Sequence, residues 1–263
     1  MSSLVHVNRN ARYNGYVQIQ PEKQSTRKIL CHLSFDDSES VFALLREMKA
    51  VSMFGCEYFS HLLSLHRELG ASFTLYLLHK DALDGLEEEI LRELAENSAW
   101  LKFSYHGNDG DIGSAGFMHN YTECTAKVAS MVGEGSLSDI LRVHRFTVDR
   151  DTADFLGSRG IRILLTADDD RSVPALDNDS LSVLAEKGEV VCGGMTYWKT
   201  DIRLEKDNWH ERFEAWKSRG CGHIVVFSHE QLVSKDSVRC ETIFRRMEAI
   251  LKDLSIGSGI SFL

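Results

Sequence analysis

The sequence predicts a parallel α/β fold in a single domain, closed or nearly closed into a barrel of seven or eight strand–helix units. Three observations carry this reading. First, "LHRELGASFTLYLL", "FLGSRGIRILLTA" and "WKSRGCGHIVVFSH" each read as a helix end, a glycine and a strand. Gly70, Gly160 and Gly220 suit helix terminations, where a left-handed backbone favours a residue without a side chain. Second, the strands that follow are apolar on both faces, as in a sheet covered by helices. Third, strand and helix alternate along the chain with no Pro/Ser/Gly linker, and the only prolines are Pro21 and Pro174. An open doubly wound sheet is the alternative, although no P-loop and no GxGxxG turn follows any strand.

The elements follow in order. A polar N-terminal extension, residues 1–27, precedes "KILCHLSF", the first strand of a barrel domain spanning 28–263. Val41, Leu44, Leu45 and Met48 recur at helical spacing, as do Phe59, Leu62, Leu63 and His66, giving two amphipathic helices. "GASFTLYLL" supplies a strand, Leu86, Ile90, Leu91 and Leu94 a helix, and "LKFSYH" the next strand. "ILRVHRF" and "IRILLTADDD" are strands with polar exits. Trp209, Phe213 and Trp216 form a helical stripe read as core packing. "HIVVFSHE" is the last strand, and Ile243, Phe244, Met247, Ile250, Leu251 and Leu254 close the series as a helix.

Composition narrows the function. A formal charge of -9 and the lack of a basic stripe argue against nucleic acid as partner. No apolar stretch is long enough to span a bilayer, and the first residues lack the charged-then-apolar layout of a secretory signal. Cys31, Cys56, Cys124, Cys192, Cys221 and Cys240 lie far apart without CxxC or zinc-finger spacing. A reduced, cytoplasmic protein without a membrane partner is expected.

In parallel α/β folds chemistry collects where strands end, and five strands here end on polar clusters. The first ends on Asp36 and Asp37, another in "FSYHGNDGD" with His106, Asp109 and Asp111. "ILRVHRF" carries Arg142 and His144, "IRILLTADDD" ends on Asp168, Asp169 and Asp170, and "HIVVFSHE" on His229 and Glu230. Carboxylates and imidazoles converging on one mouth suit a divalent cation such as Zn²⁺. A cation also accounts for two adjacent aspartates closing an apolar strand. "MTYWKTDIRLE" offers Tyr197 and Trp198 beside Asp201, Arg203 and Glu205, either as the lining of a sugar pocket or as a polar strand exit with an internal ion pair.

The order of these motifs resembles the polysaccharide deacetylase superfamily (NodB-homology), over roughly residues 28 to 232. "SFDDS" is similar to the family's T-F-D-D-G and "GASFTLYLL" to its G-x-x-A-T-F-F. His106 stands at the first histidine of H-[ST]-x-x-H, Arg142 in "RVHRF" at the arginine of R-x-P-[YF], and His229 in "VFSHE" at the histidine of L-x-H. The resemblance implies a distorted (β/α) barrel of about seven strands that removes an N- or O-linked acetyl group from a sugar. It implies Asp36 as base, Arg142 as its orienting partner and His229 as acid, the acid partnered by Asp168 or Asp170. Asp37 and His106 would hold a divalent metal, zinc being expected and cobalt or nickel the alternatives. Two departures stand out. Gly110 occupies the place of the second histidine, leaving His144, Asp109, Asp111 or His119 as the third ligand, and Ser38 replaces the glycine after the aspartates. Asp168, Tyr197, Trp198 and Asp201 are the expected substrate contacts, with a small acetylated carbohydrate as substrate. The other reading is a deacetylase-like barrel without catalysis that binds carbohydrate or a partner protein.

Overall fold

The computed structural model describes residues 28–108, 113–168, 173–257 and 259–263; the N-terminal extension, Asp109, Gly110, Asp111, Asp169 and Asp170 fall outside them. Nearly all strands are parallel. One sheet runs β3(Leu101–Tyr105), β2(Phe73–Leu77), β1(Ile29–Asp36), β9(His223–His229) and β8(Ile202–Arg203), with β10(Ile260–Phe262) beside the start of β1. The other runs β4(Ile140–Leu141), β5(Ile163–Leu165), β7(Met195–Trp198) and β6(Glu189–Cys192). The two meet where Phe103 of β3 bridges Leu137, and the Ser138 N–H donates to the Phe103 carbonyl at 2.8 Å. On the far side the chain itself passes from β7 to β8. The result is the expected distorted barrel, with eight parallel staves if the two-residue β4 and β8 are counted among the described residues.

The expected helices form. They are α1(Ser40–Glu47), α2(Glu57–Leu69), α3(Glu88–Glu96), α4(Gly113–Val132), α5(Arg150–Ser158), α6(Asn178–Lys187), α7(Trp209–Arg219) and α8(Ser237–Gly257). Gly70 and Gly220 end α2 and α7 at φ +72° and +65°, the left-handed termination that only glycine adopts without cost. The tryptophan stripe of α7 is core: Phe213 and Trp216 are buried, and the Trp216 indole donates to the His223 carbonyl at 2.7 Å. Met48 departs from its stripe, because it follows the end of α1 and lies exposed.

One feature differs from the uniform strand–helix alternation. β6 and β7 form an antiparallel hairpin closed by Gly193 and Gly194, both at positive φ. A two-residue turn of this kind needs left-handed backbone at both positions, so paired glycines fit it.

The two faces of β1 also differ from a doubly apolar strand. Cys31, Leu33 and Phe35 face the helical shell and belong to the main core. By the period-two rule His32, Ser34 and Asp36 share the opposite face, and they are buried inside the barrel. There the His32 Nε2–H donates to the Tyr76 hydroxyl (3.1 Å), which donates onward to the Ile140 carbonyl (3.1 Å). Tyr76, Ile140, Ile163, Leu165, Trp198 and Val225 fill the rest of the interior. The barrel is therefore packed below and polar toward the ends of its strands. Truncating Leu33 to alanine on the central strand should destabilise the fold by about 2–5 kcal/mol. In urea unfolding this lowers the midpoint without changing the slope, and an unchanged midpoint would contradict the packing described.

Candidate active site

The site grows from the pairing of β1 with β9. Their parallel register sets Asp36 directly opposite His229, on strands about 4.8 Å apart. Strand alternation would turn Asp37 to the other face. Instead Asp37 adopts φ +56°, a left-handed turn that costs a residue with a Cβ about 1–2 kcal/mol. The turn is held by the Ser38 N–H donating to the Tyr76 carbonyl (3.0 Å) and by the Ser38 hydroxyl donating to the Phe35 carbonyl (2.9 Å). Next to it, buried Glu230 accepts the Ser40 N–H at 2.8 Å and anchors the start of α1; burial pushes its carboxyl up to about 7.

The turn brings Asp37 to His106 and His144, and donor atoms of all three lie within 4.8 Å of one another. His106 Nε2 is 3.6 Å from Asp37 Oδ1, close to the roughly 3.3–3.8 Å that two ligands of one tetrahedral zinc keep. The His106 Nδ1–H donates to the Arg142 carbonyl at 2.6 Å, which fixes the tautomer and leaves Nε2 facing the carboxylate. Burial lowers the His106 pKa, against the pull of Asp36 and Asp37, so the ring is neutral as a ligand must be. The two imidazoles meet edge to face with centroids 5.1 Å apart, and the His144 backbone N–H donates to the His106 carbonyl at 2.8 Å. Asp37 Oδ1 is buried with no hydrogen-bond partner. A buried, unpaired carboxylate oxygen beside two imidazoles is costly unless a cation completes it, so these residues fit a divalent metal.

Asp36 is held separately. Arg142, wholly buried, donates from Nη1 to Asp36 Oδ1 at 2.7 Å and from Nη2 to the Thr200 hydroxyl at 3.0 Å. Thr200 in turn donates to the Thr166 carbonyl, and the guanidinium lies 4.1 Å over the Phe227 ring.

His229 pairs with Glu205, a carboxylate other than Asp168; Asp170, the other aspartate expected, lies outside the described residues. The His229 Nδ1–H donates to Glu205 Oε1 at 2.5 Å, and Arg203 Nε donates to the same oxygen at 2.7 Å. Burial opposes the charge of His229, but the bond to Glu205 and the nearby Asp36 outweigh it and raise the pKa. Burial likewise opposes the charge of Glu205, yet His229 and Arg203 hold its carboxyl down at about 2. Glu205 was legible as part of a strand-exit ion pair; that it would reach His229 follows from the β8–β9 register, which aligns Arg203 with Phe227.

Other expected residues lie elsewhere. Asp201 spends both carboxylate oxygens within the fold, one on Arg219 and the other accepting the Val225 N–H at 2.9 Å, well down β9 from His229. Trp198 stacks on His223, at the start of β9, with ring centroids 4.2 Å apart, and its indole donates to Glu189 at 3.2 Å. Tyr197, its neighbour on β7, is buried in the shell core. None of the three lines the mouth. Asp168 stands past the end of β5, its carbonyl accepting from Arg212 at 2.6 Å. His119 is exposed on α4 beside Glu123 (3.4 Å), apart from the Asp37 cluster.

No family model and no curated protein matches the sequence. Solved structures do match in fold. A provisionally assigned polysaccharide deacetylase from Mycobacterium smegmatis superposes with a TM-score of 0.53 at 12% identity, covering 87% of this chain and 85% of that one. A peptidoglycan N-acetylglucosamine deacetylase bound to an N-hydroxybenzamide compound gives 0.53 at 11% identity, covering 90% and 87%. A 4-alpha-glucanotransferase from Thermococcus litoralis gives 0.58 at 10% identity, covering 90% of this chain and 39% of its own. The fold is that of the deacetylase barrels.

The His229–Glu205 pair has a defined pH signature. A raised histidine pKa contributes stability that is complete below the ordinary value near 6.5 and is lost as pH rises through the folded-state value. The depressed Glu205 contributes above its ordinary value near 4.5, and that part is lost as pH falls toward about 2. In Glu205→Gln the His229 imidazole should titrate at lower pH than in the parent, read by NMR; an unmoved titration would show that Glu205 does not set the charge of His229.

Proposed function

We propose that this chain is a divergent member of the polysaccharide deacetylase superfamily, a hydrolase that removes an N- or O-linked acetyl group from a carbohydrate. The observation that carries the proposal is the orphaned Asp37 oxygen facing two imidazoles, beside an arginine-held Asp36 and a carboxylate-paired His229 at one barrel mouth. A divalent metal held by Asp37, His106 and His144, with zinc preferred and cobalt or nickel able to substitute, supplies a Lewis acid for the acyl oxygen and lowers the pKa of water.

The protein groups do the rest. Asp36, oriented by Arg142, takes the proton of the attacking water as the new C–O bond forms. His229, whose Nδ1 is committed to Glu205, delivers a proton from Nε2 to the departing amine or alcohol as its bond to the acyl carbon breaks. Glu205 steadies the imidazolium before that transfer. Thr200, itself held by the Thr166 carbonyl, fixes the buried Arg142 guanidinium beneath the mouth.

All six cysteines are free, which suits a reducing compartment, and among the described residues no helix is long and apolar enough to cross a membrane. We therefore assign the enzyme to the cytoplasm and its substrate to small acetylated sugars or sugar precursors.

Elemental analysis of protein purified without added metal or chelator should find zinc-like metal, of which about one equivalent per chain, the one at this site, is lost in His106→Ala. Acetate release from a panel of N- and O-acetylated sugars should fall by about 10²–10⁴ in Asp36→Asn with that metal retained, whereas Asp37→Ala should lose the metal itself. Wild-type turnover in both variants would refute the assignment. A chain that takes up no Zn²⁺, Co²⁺ or Ni²⁺ at His106 would instead be a carbohydrate-binding barrel without catalysis.

A further inference from the structure

A second group of metal-type donors lies outside the barrel, where α2 packs near α8. Glu57 and His61 are one turn apart on α2, so their side chains share a face, and His61 Nε2 stands 3.7 Å from Glu57 Oε1. Cys240 reaches them from α8, and one donor atom of each of the three lies within 4.8 Å of the others. With Zn–N and Zn–O near 2.0 Å and Zn–S near 2.3 Å, two ligands of one tetrahedral ion sit roughly 3.3–3.8 Å apart. The carboxylate and imidazole thus lie within about 0.4 Å of ligand spacing, and the thiol has to approach by at most about 1.3 Å.

The surroundings hold the donors in place. The His61 ring stacks on Phe244, centroids 4.8 Å apart and planes 17° off parallel. Phe244 is one turn beyond Cys240, so α8 supplies the sulfur and also orients the imidazole. The Ser237 hydroxyl, at the start of α8, donates to Glu57 Oε2, fixing the carboxylate through the oxygen that does not face His61. Cys240 is buried, His61 half-buried and Glu57 exposed, so the group opens to water on the Glu57 side, where solvent can take a fourth position. The outer partners of a metal site are arranged in this way, each ligand held by a group that is not itself a ligand.

We propose that Glu57, His61 and Cys240 form a second divalent-metal site, selective for a thiolate-accepting ion such as zinc, that clasps α2 to α8. Binding replaces the thiol proton of Cys240, which leaves to solvent, by a sulfur–metal bond. The site is independent of the hydrolytic proposal and needs no substrate. It differs from the barrel mouth in one decisive chemical respect: the mouth offers only oxygen and nitrogen.

Cobalt separates the two. Chelator-treated full-length protein is titrated with Co²⁺ alone, following metal content and the near-ultraviolet sulfur-to-cobalt charge-transfer band. The band is expected to grow to saturation, to vanish on adding Zn²⁺, and to survive His106→Ala. Cys240→Ser should abolish it. His61→Ala, at a half-buried position and with retained folding checked by circular dichroism, should shift its midpoint to at least about tenfold higher cobalt. A parent chain that shows no thiolate band overturns the proposal, as does a band that persists unchanged in both Cys240→Ser and His61→Ala.

Discussion

Arg142 carries a full positive charge in the interior of a barrel, and the arrangement of the mouth follows from satisfying it. A guanidinium taken out of water costs several kcal/mol unless charge and hydrogen bonds replace its hydration. Here Asp36 supplies the charge, Ser34 and Thr200 lie within reach of its nitrogens, and the faces of Phe227 and Tyr76 cover it. Those partners come from β1, β2, β9 and the stretch after β7. That stretch matters mechanically, because among the described residues no ladder joins β7 to β8. Its Thr200 links Arg142 to Thr166 and so ties the ends of β4, β5 and β7 within one sheet, while the Arg142–Asp36 pair reaches across the interior to β1 in the other.

Much of the fold was legible in the sequence because its signals are local. The glycines that stop α2 and α7, the apolar runs of β1, β2 and β9, and the stripes of α2, α7 and α8 each follow from propensity and period. The two-residue strand β8 was not, since its pairing is set by its neighbour β9 rather than by its own residues. The Gly193–Gly194 hairpin carried a turn signal that strand–helix alternation overshadowed. Within β1 the apolar reading hid a second pattern, His32, Ser34 and Asp36 at every other position, which marks the barrel interior.

The site shows the same division. Asp36, Asp37, His106, Arg142 and His229 were readable as strand-end residues, and the structure brings them to one mouth with His144. The identity of the carboxylate beside His229 was not readable, because Asp168, Asp170 and Glu205 all follow strands and only register selects among them. Composition alone suits Tyr197, Trp198 and Asp201 to a sugar pocket, whereas alternation along β7 sends one ring into the shell and the other onto His223, and Asp201 bonds within the fold. Backbone strain was also invisible in the sequence. Asp37, Arg145 and Phe146 all take positive φ around the two histidines, the kind of local cost that persists where surrounding contacts over-determine it.

The position of β1 has a consequence for how the molecule is made. Among the described residues it is the earliest strand in chain order, yet it pairs with β9 and β10, the latest two. Asp36 therefore waits beside an empty rung until His229 has been synthesised and has cleared the exit tunnel. Contacts this distant in sequence form late and slowly. A nascent or truncated chain can carry half of the mouth but never Asp36 and His229 face to face, so the mouth is complete only once the last strands have been threaded into the wall.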